Sequence, residues 1–569
     1  MEKRLILAIF LSFLVLFLFQ LIFVKPHKPV APVPEQTTAL AKTESPQASE
    51  KENLPQPSAA PFPGQKESPG EVIAAEKEEE ITIETPLYTA IWTNRGGVLK
   101  SWKLKHQLKK LPSKKEPGKE PLDLISELAA QTGLFPFALK LEEPGLMAKV
   151  NSSLYKFKVE PQKINQGELT YLIFEYSDGN IVKIKKEFIF NDRDYNFGIE
   201  TSLEVGGKAV EPVLLWGPGI GTLSPEELKQ KFSASRGAAF LFSRDKKVLR
   251  LQEKKIGLER ESVRYGGLNW AAYEENYFAA IFLLNPDLSQ AFAYKMEKME
   301  DQAEGKTAVM PYYYLAYSHP QEAYLGPKEY DRLKAYGHQT KKIINFGFFG
   351  GIAELLLIAT KYFYGLFPNW GLAIIIMTLI IKILFFPLTY SSTKSMAKMQ
   401  EIQPKIKALR AKYKKAKQDM EQRRQMNEEL MRLYKEHGIN PAGGCLPLLI
   451  QLPVFWGFFR MLVVAVEFRH SPFIFWIRDL SVRDPYYVTP ILMGVTQYVS
   501  QKMTPSTADP AQQKMMLLMP FIFTIFFMNF QAGLVLYWLT NNVLQIAQQA
   551  IMNRMMARKK ETDGKRRKK

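Results

Sequence analysis

Cysteine is nearly absent from the 569-residue sequence: Cys445 stands alone. No internal disulfide is possible, a metal site of several cysteines is excluded, and Cys445 is expected to be a small packing residue. The six histidines are scattered, with no HExxH pair and no His/Glu cluster. No phosphate-cradling loop and no nucleophile–base pair stands out, so neither an enzyme nor a cofactor is expected. One further absence is local. The apolar runs at residues 369–390, 441–466, 486–502, 513–530 and 533–552 contain no Asp or Glu. A proton relay or an intramembrane ion pair has no acid to use there.

Basic residues are plentiful instead. Lys and Arg number 76 against 57 Asp and Glu, giving a net charge of +19. That balance fits an anionic partner such as acidic lipid, RNA or an acidic protein surface. The chain is too long for one ordinary domain, and its apolar residues are bunched rather than spread. Residues 5–24 have the length of a membrane-crossing helix and follow Lys3 and Arg4. A cleaved signal peptide competes with an uncleaved anchor. The anchor is preferred, because the apolar core is long and no small-x-small site follows it. Domain 1–24 is therefore expected to be a transmembrane anchor. Residues 25–80 are rich in Pro, Glu, Ala, Ser and Lys, cannot bury a core and read as a disordered periplasmic tether.

From Ile81 the pattern becomes strand-like. "ITIETPLYTAIW", "YKFKVE", "LTYLIFEYSDGNIVKIKKEFIF" and "YNFGIETSLEV" alternate apolar and polar residues between turn signals such as "NRGG" and "NDRD". An all-β super-sandwich is expected over 81–335, its last part turning helical after Pro327. Trp92, Trp102 and Trp216 have two open readings, a ligand groove or core packing. Residues 336–368 hold an apolar stretch broken by Gly347, Gly350 and Gly351 and carrying Glu354 and Lys361. This reads as a helix lying in the interface rather than crossing it.

The five apolar runs then predict a helical bundle, its first helix at 369–393 and the others within 439–553. Between them lies 394–438, with about twice as many basic as acidic residues, and the tail 554–569 is basic too. Lys and Arg concentrate on the cytoplasmic side of membrane proteins. Both segments are thus expected in the cytoplasm, with the N-terminus also inside and the β domain outside. Within 394–438, Met396, Met399, Ile402, Ile406, Leu409 and Tyr413 recur at helical spacing, as do Met426, Leu430 and Leu433. The expected helical hairpin either packs only on itself or serves as a docking arm.

One cation breaks the first bundle helix. Lys382 stands in "NWGLAIIIMTLIIKILFFPLT", where an isolated charge costs about 3 kcal/mol or more. Thr378, four residues earlier, shares its face, and so does Thr389. Other helices carry polar residues as well: Gln451 in "LPLLIQLPVF", Gln497 and Gln501, and the stripe Asn541, Asn542, Gln545, Gln548 and Gln549. Polar faces on several helices point to a wet cavity. Snorkelling of Lys382 to the cytoplasmic headgroups is the alternative. Pro441, Pro447 and Pro453, with Gly443 and Gly444, interrupt the second bundle helix, which is tolerated where neighbours or water take the freed carbonyls.

The strings "NWGLAIIIMTLIIKILFFPLT", "SMAKMQEIQPKI", "LYKEHGINPAGGCLPLLIQLPVFWGFF", "SPFIFWIRDLSVRDPYYVTPILMGVTQYVSQKM" and "QAGLVLYWLTNNVLQIAQQ" together resemble the YidC/Oxa family of membrane protein insertases. They match the Gram-negative type, which adds an anchor span and a periplasmic domain to a five-helix core. "NRGGVLKSWKLK" and "YLGPKEYDRLKAYG" resemble the edges of that domain. The resemblance implies insertion and folding of inner-membrane proteins, alone or with the Sec translocon, through a hydrophilic groove open to the cytoplasm. It implies a groove charge at Lys382, where the family usually has arginine; lysine keeps the charge but loses the bidentate fork. Thr378, Gln451, Asn541, Asn542 and Gln545 become its polar lining. An apolar slide for the substrate maps to Leu452, Pro453, Phe455 and Phe526, with Tyr537 and Trp538 nearby. Implied partners are nascent membrane proteins, the Sec translocon, the ribosome through the basic hairpin and tail, and membrane lipids. No specific nucleic-acid site and no metal are implied.

Two other classes compete. A transporter would explain polar faces in a bundle, but no inverted repeat is visible. A sugar-binding protein would use the β domain, yet no paired carboxylates stand out in it.

Overall fold

The computed structural model describes residues 71–566, apart from 110, 112–119, 165–166, 222–235, 302–306, 414–418, 440–445 and 505–509. The anchor expected at 1–24, most of the expected tether, and Pro441, Gly443, Gly444 and Cys445 lie outside the described residues. Everything below belongs to the unit Ser68–Lys569.

Residues from Val72 to Pro327 form three antiparallel sheets among the described residues. The largest runs in the order Val72–Ile73, Gly167–Asp178, Val182–Asn191, Asn196–Val205, Pro320–Pro327, Phe278–Leu284, Leu268–Glu274, Gly237–Phe242 and Val248–Gln252, with two further strands paired alongside. A five-stranded sheet is built around Gln290–Asp301 and Thr307–Ser318, and a four-stranded one around Tyr88–Thr93 and Val98–Leu108. Alternation decides which faces pack. In Val182–Asn191, Val182, Ile184, Phe188 and Phe190 turn inward between exposed or half-exposed neighbours. Strand structure starts at Val72, ahead of the expected start at Ile81. Val72 and Ile73 have neither charge nor Pro and add to the edge of Gly167–Asp178.

The three tryptophans belong to the core. Trp92 is fully buried among Phe137, Phe174, Phe188 and Phe190, Trp102 stacks on Tyr88 with centroids 3.9 Å apart, and Trp216 sits beside Phe137 and Phe282. They line no open groove. Lys186 also points inward and is fully buried; its ammonium donates to the carbonyls of Gly96 at 2.7 Å, Gly97 at 3.3 Å and Phe137 at 2.8 Å. It ties the turn before Val98–Leu108 to the central sheet. Burial pushes its pKa down, while three carbonyl acceptors favour the charged form.

Past Pro327 the chain turns helical. Tyr330–Tyr336 leads to the half-buried apolar helix Gly350–Leu366, shorter than the expected 336–368. Five more long helices follow the apolar runs: Trp370–Glu401, Leu446–Val464, Val488–Met503, Pro510–Phe527 and Ala532–Arg566. We call them the first to fifth bundle helices. Among the described residues, one helix is long and apolar enough to cross a membrane, Trp370–Glu401, with Ile450–Val464 and Met516–Phe527 as shorter apolar pieces. Asn369 starts the first bundle helix by accepting from Leu372 N at 2.9 Å, while its own amide donates to the Phe473 carbonyl at 2.9 Å. This helix runs unbroken past residue 393 to Glu401, and Gln403–Lys412 begins with Pro404 in its first turn. Gln403–Lys412 and Met420–Glu436 pack through Ile402, Ile406, Leu430, Leu433 and Tyr434. The basic tail is no separate segment in its described part, since the fifth helix continues to Arg566.

The third and fourth bundle helices meet at Gly494. A Cβ there would overlap Thr524 Oγ1 of the fourth helix, whose hydroxyl is already donated to the Pro520 carbonyl. Gly494→Val is therefore expected to destabilise the protein by about 1–3 kcal/mol. Thermal unfolding in detergent checks it: a midpoint equal to the parent's would contradict the close approach.

The β domain and the helices share one apolar cluster, and polar contacts close the seam. Asn276, at the tip between Leu268–Glu274 and Phe278–Leu284, donates to the Val463 carbonyl at 2.9 Å. Arg469 donates to the Leu108 carbonyl at 3.0 Å and lies over the Phe278 ring. Close by, buried Asp479 accepts from Ser481 N at 2.8 Å and Ser481 Oγ at 2.7 Å. Burial pushes its carboxyl up to about 6 from an ordinary 3.8. A raised folded pKa means the folded protein holds the proton more tightly. This contribution to stability is complete below pH ~3.8 and lost as pH rises through about 6. In Asp479→Asn, that part of the fall in stability between those pH values should vanish. Unfolding midpoints across the window test this; an unchanged slope would contradict it.

Candidate functional site

Thr378, Ile381, Lys382, Phe385, Leu388 and Thr389 of the first bundle helix are linked by three- and four-residue spacings (Thr378/Ile381/Phe385/Leu388 and Thr378/Lys382/Phe385/Thr389) and so form one broad face. With Gln451 of the second helix and Tyr537 and Asn541 of the fifth, they line a cavity of about 20 Å³, room for about one water. The Lys382 ammonium points into the bundle and donates to Gln545 Oε1 of the fifth helix at 2.8 Å. Gln451 Nε2 donates to Asn541 Oδ1 at 2.8 Å. Two cross-helix hydrogen bonds thus join the fifth helix to the first and second across the same cavity.

The threonines satisfy themselves locally. Thr378 Oγ1 donates to the Ile374 carbonyl at 2.7 Å and Thr389 Oγ1 to the Phe385 carbonyl at 3.0 Å. In a helix this is the cheapest partner for a hydroxyl without water, and each still offers lone pairs to the cavity. Lys382 has no such local option. Its partner among the described residues is a neutral amide, so its charge has no counter-ion there.

Asn542 is a correction. Expected in the polar lining, it is buried on another face, donating to the Met493 carbonyl at 3.1 Å and Thr496 Oγ1 at 3.5 Å. One residue turns a helix by about 100°, and here that turn carries Asn542 away from the cavity that Asn541 lines. Asn542 instead joins the fifth helix to the third.

The six expected slide residues also divide. Leu452 and Phe526 are exposed, and Pro453, Phe455 and Trp538 are half-buried. Trp538 meets Phe455 edge-on at 4.9 Å, and its indole N–H donates to Gln497 Oε1 at 3.2 Å. Tyr537 is the exception: 3% exposed and stacked on Phe458 at 4.3 Å, it belongs to the core and lines the cavity. Its neighbours at three- and four-residue spacing, Leu534 and Asn541, place it on the inner face. Sequence reasoning passed over Ile381, Phe385 and Leu388, although their spacing from Thr378 and Lys382 marks them. It also passed over Asp484, which accepts from Thr489 N at 2.8 Å, Thr489 Oγ1 at 2.7 Å and Trp476 Nε1 at 3.0 Å and so caps the third helix. The "RDPYYVT" turn carried that signal.

The arrangement is an uncompensated cation in a small polar cavity between apolar helices, bordered by exposed apolar side chains. Such a site can attract acidic groups into a low-dielectric place. Among the described residues it offers no nucleophile aligned with a base.

Comparison with known proteins agrees over nearly the whole chain. The family model described as 60Kd inner membrane protein matches residues 362–560, and that described as YidC periplasmic domain matches residues 80–359. The membrane protein insertase YidC of Syntrophus aciditrophicus is 35% identical, covering 97% of this chain and 100% of that one. That of Citrifermentans bemidjiense is 36% identical, covering 98% and 100%. A solved structure of an active YidC insertase with its first transmembrane domain resolved is 20% identical, covers 84% of this chain and 93% of that one, and superposes with a TM-score of 0.35. The chain belongs to the YidC family of membrane protein insertases.

Proposed function

We propose that the chain inserts inner-membrane proteins by drawing a substrate's polar segment into the cavity at Lys382. The adjoining apolar segment leaves sideways past Leu452, Phe455 and Phe526. The observation that carries this reading is the Lys382 ammonium, held at 2.8 Å by a neutral amide and without a carboxylate partner among the described residues. An acidic substrate segment supplies the missing charge. At an effective dielectric of about 20, opposite charges roughly 4 Å apart attract by about 4 kcal/mol.

The cavity has room for about one water. Admission of a chain segment therefore requires the first and fifth helices to part, breaking the Lys382–Gln545 bond. Trading that neutral partner for a carboxylate favours the parted state while substrate is present. Release is driven by the apolar segment, which gains about 25 cal/mol for each Å² moved from water into lipid. No nucleotide or cofactor enters the cycle.

The orientation follows from charge: residues 394–438 and the tail in the cytoplasm, the β domain in the periplasm, the N-terminus inside. The same basic segments fit a ribosome or its nascent chain, and cooperation with the Sec translocon is part of the proposal. Purified protein in vesicles without nucleotide should insert a short membrane protein with an acidic translocated tail, measured by protease protection. No protection above empty vesicles would overturn the reading.

A further inference from the structure

A second cleft lies far from Lys382, where the β domain meets the N-terminal end of Gly350–Leu366. It encloses about 340 Å³ and is bordered by Lys246, Arg250, Lys341, Lys342, Phe346 and Glu354 among others. Four of these six side chains are cationic. Their pairing is uneven. Arg250 is matched by Glu274 at 3.0 Å, and Lys341 by Glu354 at 2.9 Å. Lys342 donates to the Lys246 carbonyl at 2.6 Å, a neutral partner. Neither Lys246 nor Lys342 has a carboxylate partner among the described residues. Behind the cleft, Arg460 donates to the Asn345 carbonyl. The field in the cleft is positive, and the N-terminal end of the 17-residue helix adds to it.

Beside the cleft stands Phe348, 96% exposed, in the short link between Asn345 and Gly350. A phenyl ring fully in water is unfavourable by about 2 kcal/mol relative to burial. With the helices in the bilayer and the β domain outside it, this link sits at the outer boundary of the membrane. Phe348 then enters the acyl layer while Lys246 and Lys342 stay at headgroup level. Cations above an apolar anchor match one kind of molecule: phosphate above hydrocarbon.

We propose that this cleft holds the phosphate headgroup of an acidic phospholipid of the outer leaflet, with Phe348 against its acyl chains. Lys246 and Lys342 provide the unmatched charge, and Lys341 and Arg250 hold the cleft open through their own ion pairs. The inference rests on the orientation proposed above but not on the role of Lys382. The site gives the seam between β domain and helices a fixed depth in the membrane.

The test places the photoreactive residue p-benzoylphenylalanine at position 348 of the full chain in mixed phosphatidylglycerol and phosphatidylcholine vesicles. Captured lipid is identified by mass spectrometry. The ratio of captured phosphatidylglycerol to phosphatidylcholine should exceed the bulk ratio about fivefold. The enrichment should disappear in Lys246→Gln/Lys342→Gln and persist in Lys246→Arg/Lys342→Arg, which guards against a folding defect. Excess inorganic phosphate at constant ionic strength should leave it in place. Capture at mole fraction in the parent, equal enrichment in the glutamine variant, loss in the arginine variant, or abolition by free phosphate would each overturn the proposal. Substrate insertion in the same vesicles is read separately. Normal insertion without lipid enrichment sinks this inference alone, and enrichment without insertion sinks only the Lys382 reading.

Discussion

Lys382→Glu should reduce insertion of a substrate with an acidic translocated tail by at least about tenfold, and a basic tail on the same substrate should restore much of it. The substitution turns the attraction proposed above into repulsion. The swing is several kcal/mol at the distances that separate facing helices, less whatever water enters the parted cavity. Tenfold is about 1.4 kcal/mol, a small part of that range. Lys382→Ala should lie between, since it removes the charge and leaves Gln545 without its donor. Lys382→Arg should keep most activity, although the planar guanidinium meets the amide of Gln545 differently. Protease protection in vesicles measures the parent and all three variants with acidic, neutral and basic tails. Equal losses for all tails would assign Lys382 to packing between the first and fifth helices.

The second large effect belongs to the β domain. Glu274 is buried and joins Lys328 at 2.8 Å and Arg250 at 3.0 Å, with side-chain exposures of 5% for Glu274 and 3% for Lys328. Burial holds the Lys328 pKa below its ordinary value, so the ammonium depends on its carboxylate. Glu274→Gln would leave two cations facing a neutral amide, which typically costs about 3–5 kcal/mol. The loss also loosens the seam, because Glu274 precedes the tip whose Asn276 holds Val463. In a domain of this size the unfolding midpoint should fall by roughly 10 °C. Glu274→Gln/Lys328→Met should recover part of the loss by removing the stranded charge. Scanning calorimetry of the full chain would show it, and a midpoint within ~2 °C of the parent would mean the pair contributes little.

What the sequence made legible was periodic. Strand alternation around Val182–Asn191 and the apolar runs of the bundle follow from local spacing, and so does the shared face of Thr378 and Lys382. What it hid was non-local. Lys186 looks like one more charge in "VKIKKEF", and three carbonyls from distant turns make it a core residue. Asn276 and Arg469 carry no pattern at all, and their partners are fixed only once the β domain rests on the helices. At the candidate site, reading a polar stripe as one face was too coarse. Asn541 faces the cavity, while the next residue, Asn542, turns to the third helix. Tyr537 is placed near the slide by the resemblance alone, and an aromatic residue is as welcome in a core as on a lipid-facing surface.

Site-specific capture of a substrate in passage bears most directly on the groove. A photoreactive residue is placed at Leu388 or Gln451, which line the cavity, at Phe455 beside it, or at the outward-facing Leu384 of the same first helix. A ribosome-stalled membrane protein is then bound and irradiated. The expected result is that Leu388 and Gln451 capture the polar segment and Phe455 the apolar one, with capture at Leu388 and Gln451 falling in the Lys382→Glu background. Capture from Leu384 alone, with none from the cavity positions, would contradict passage through the groove.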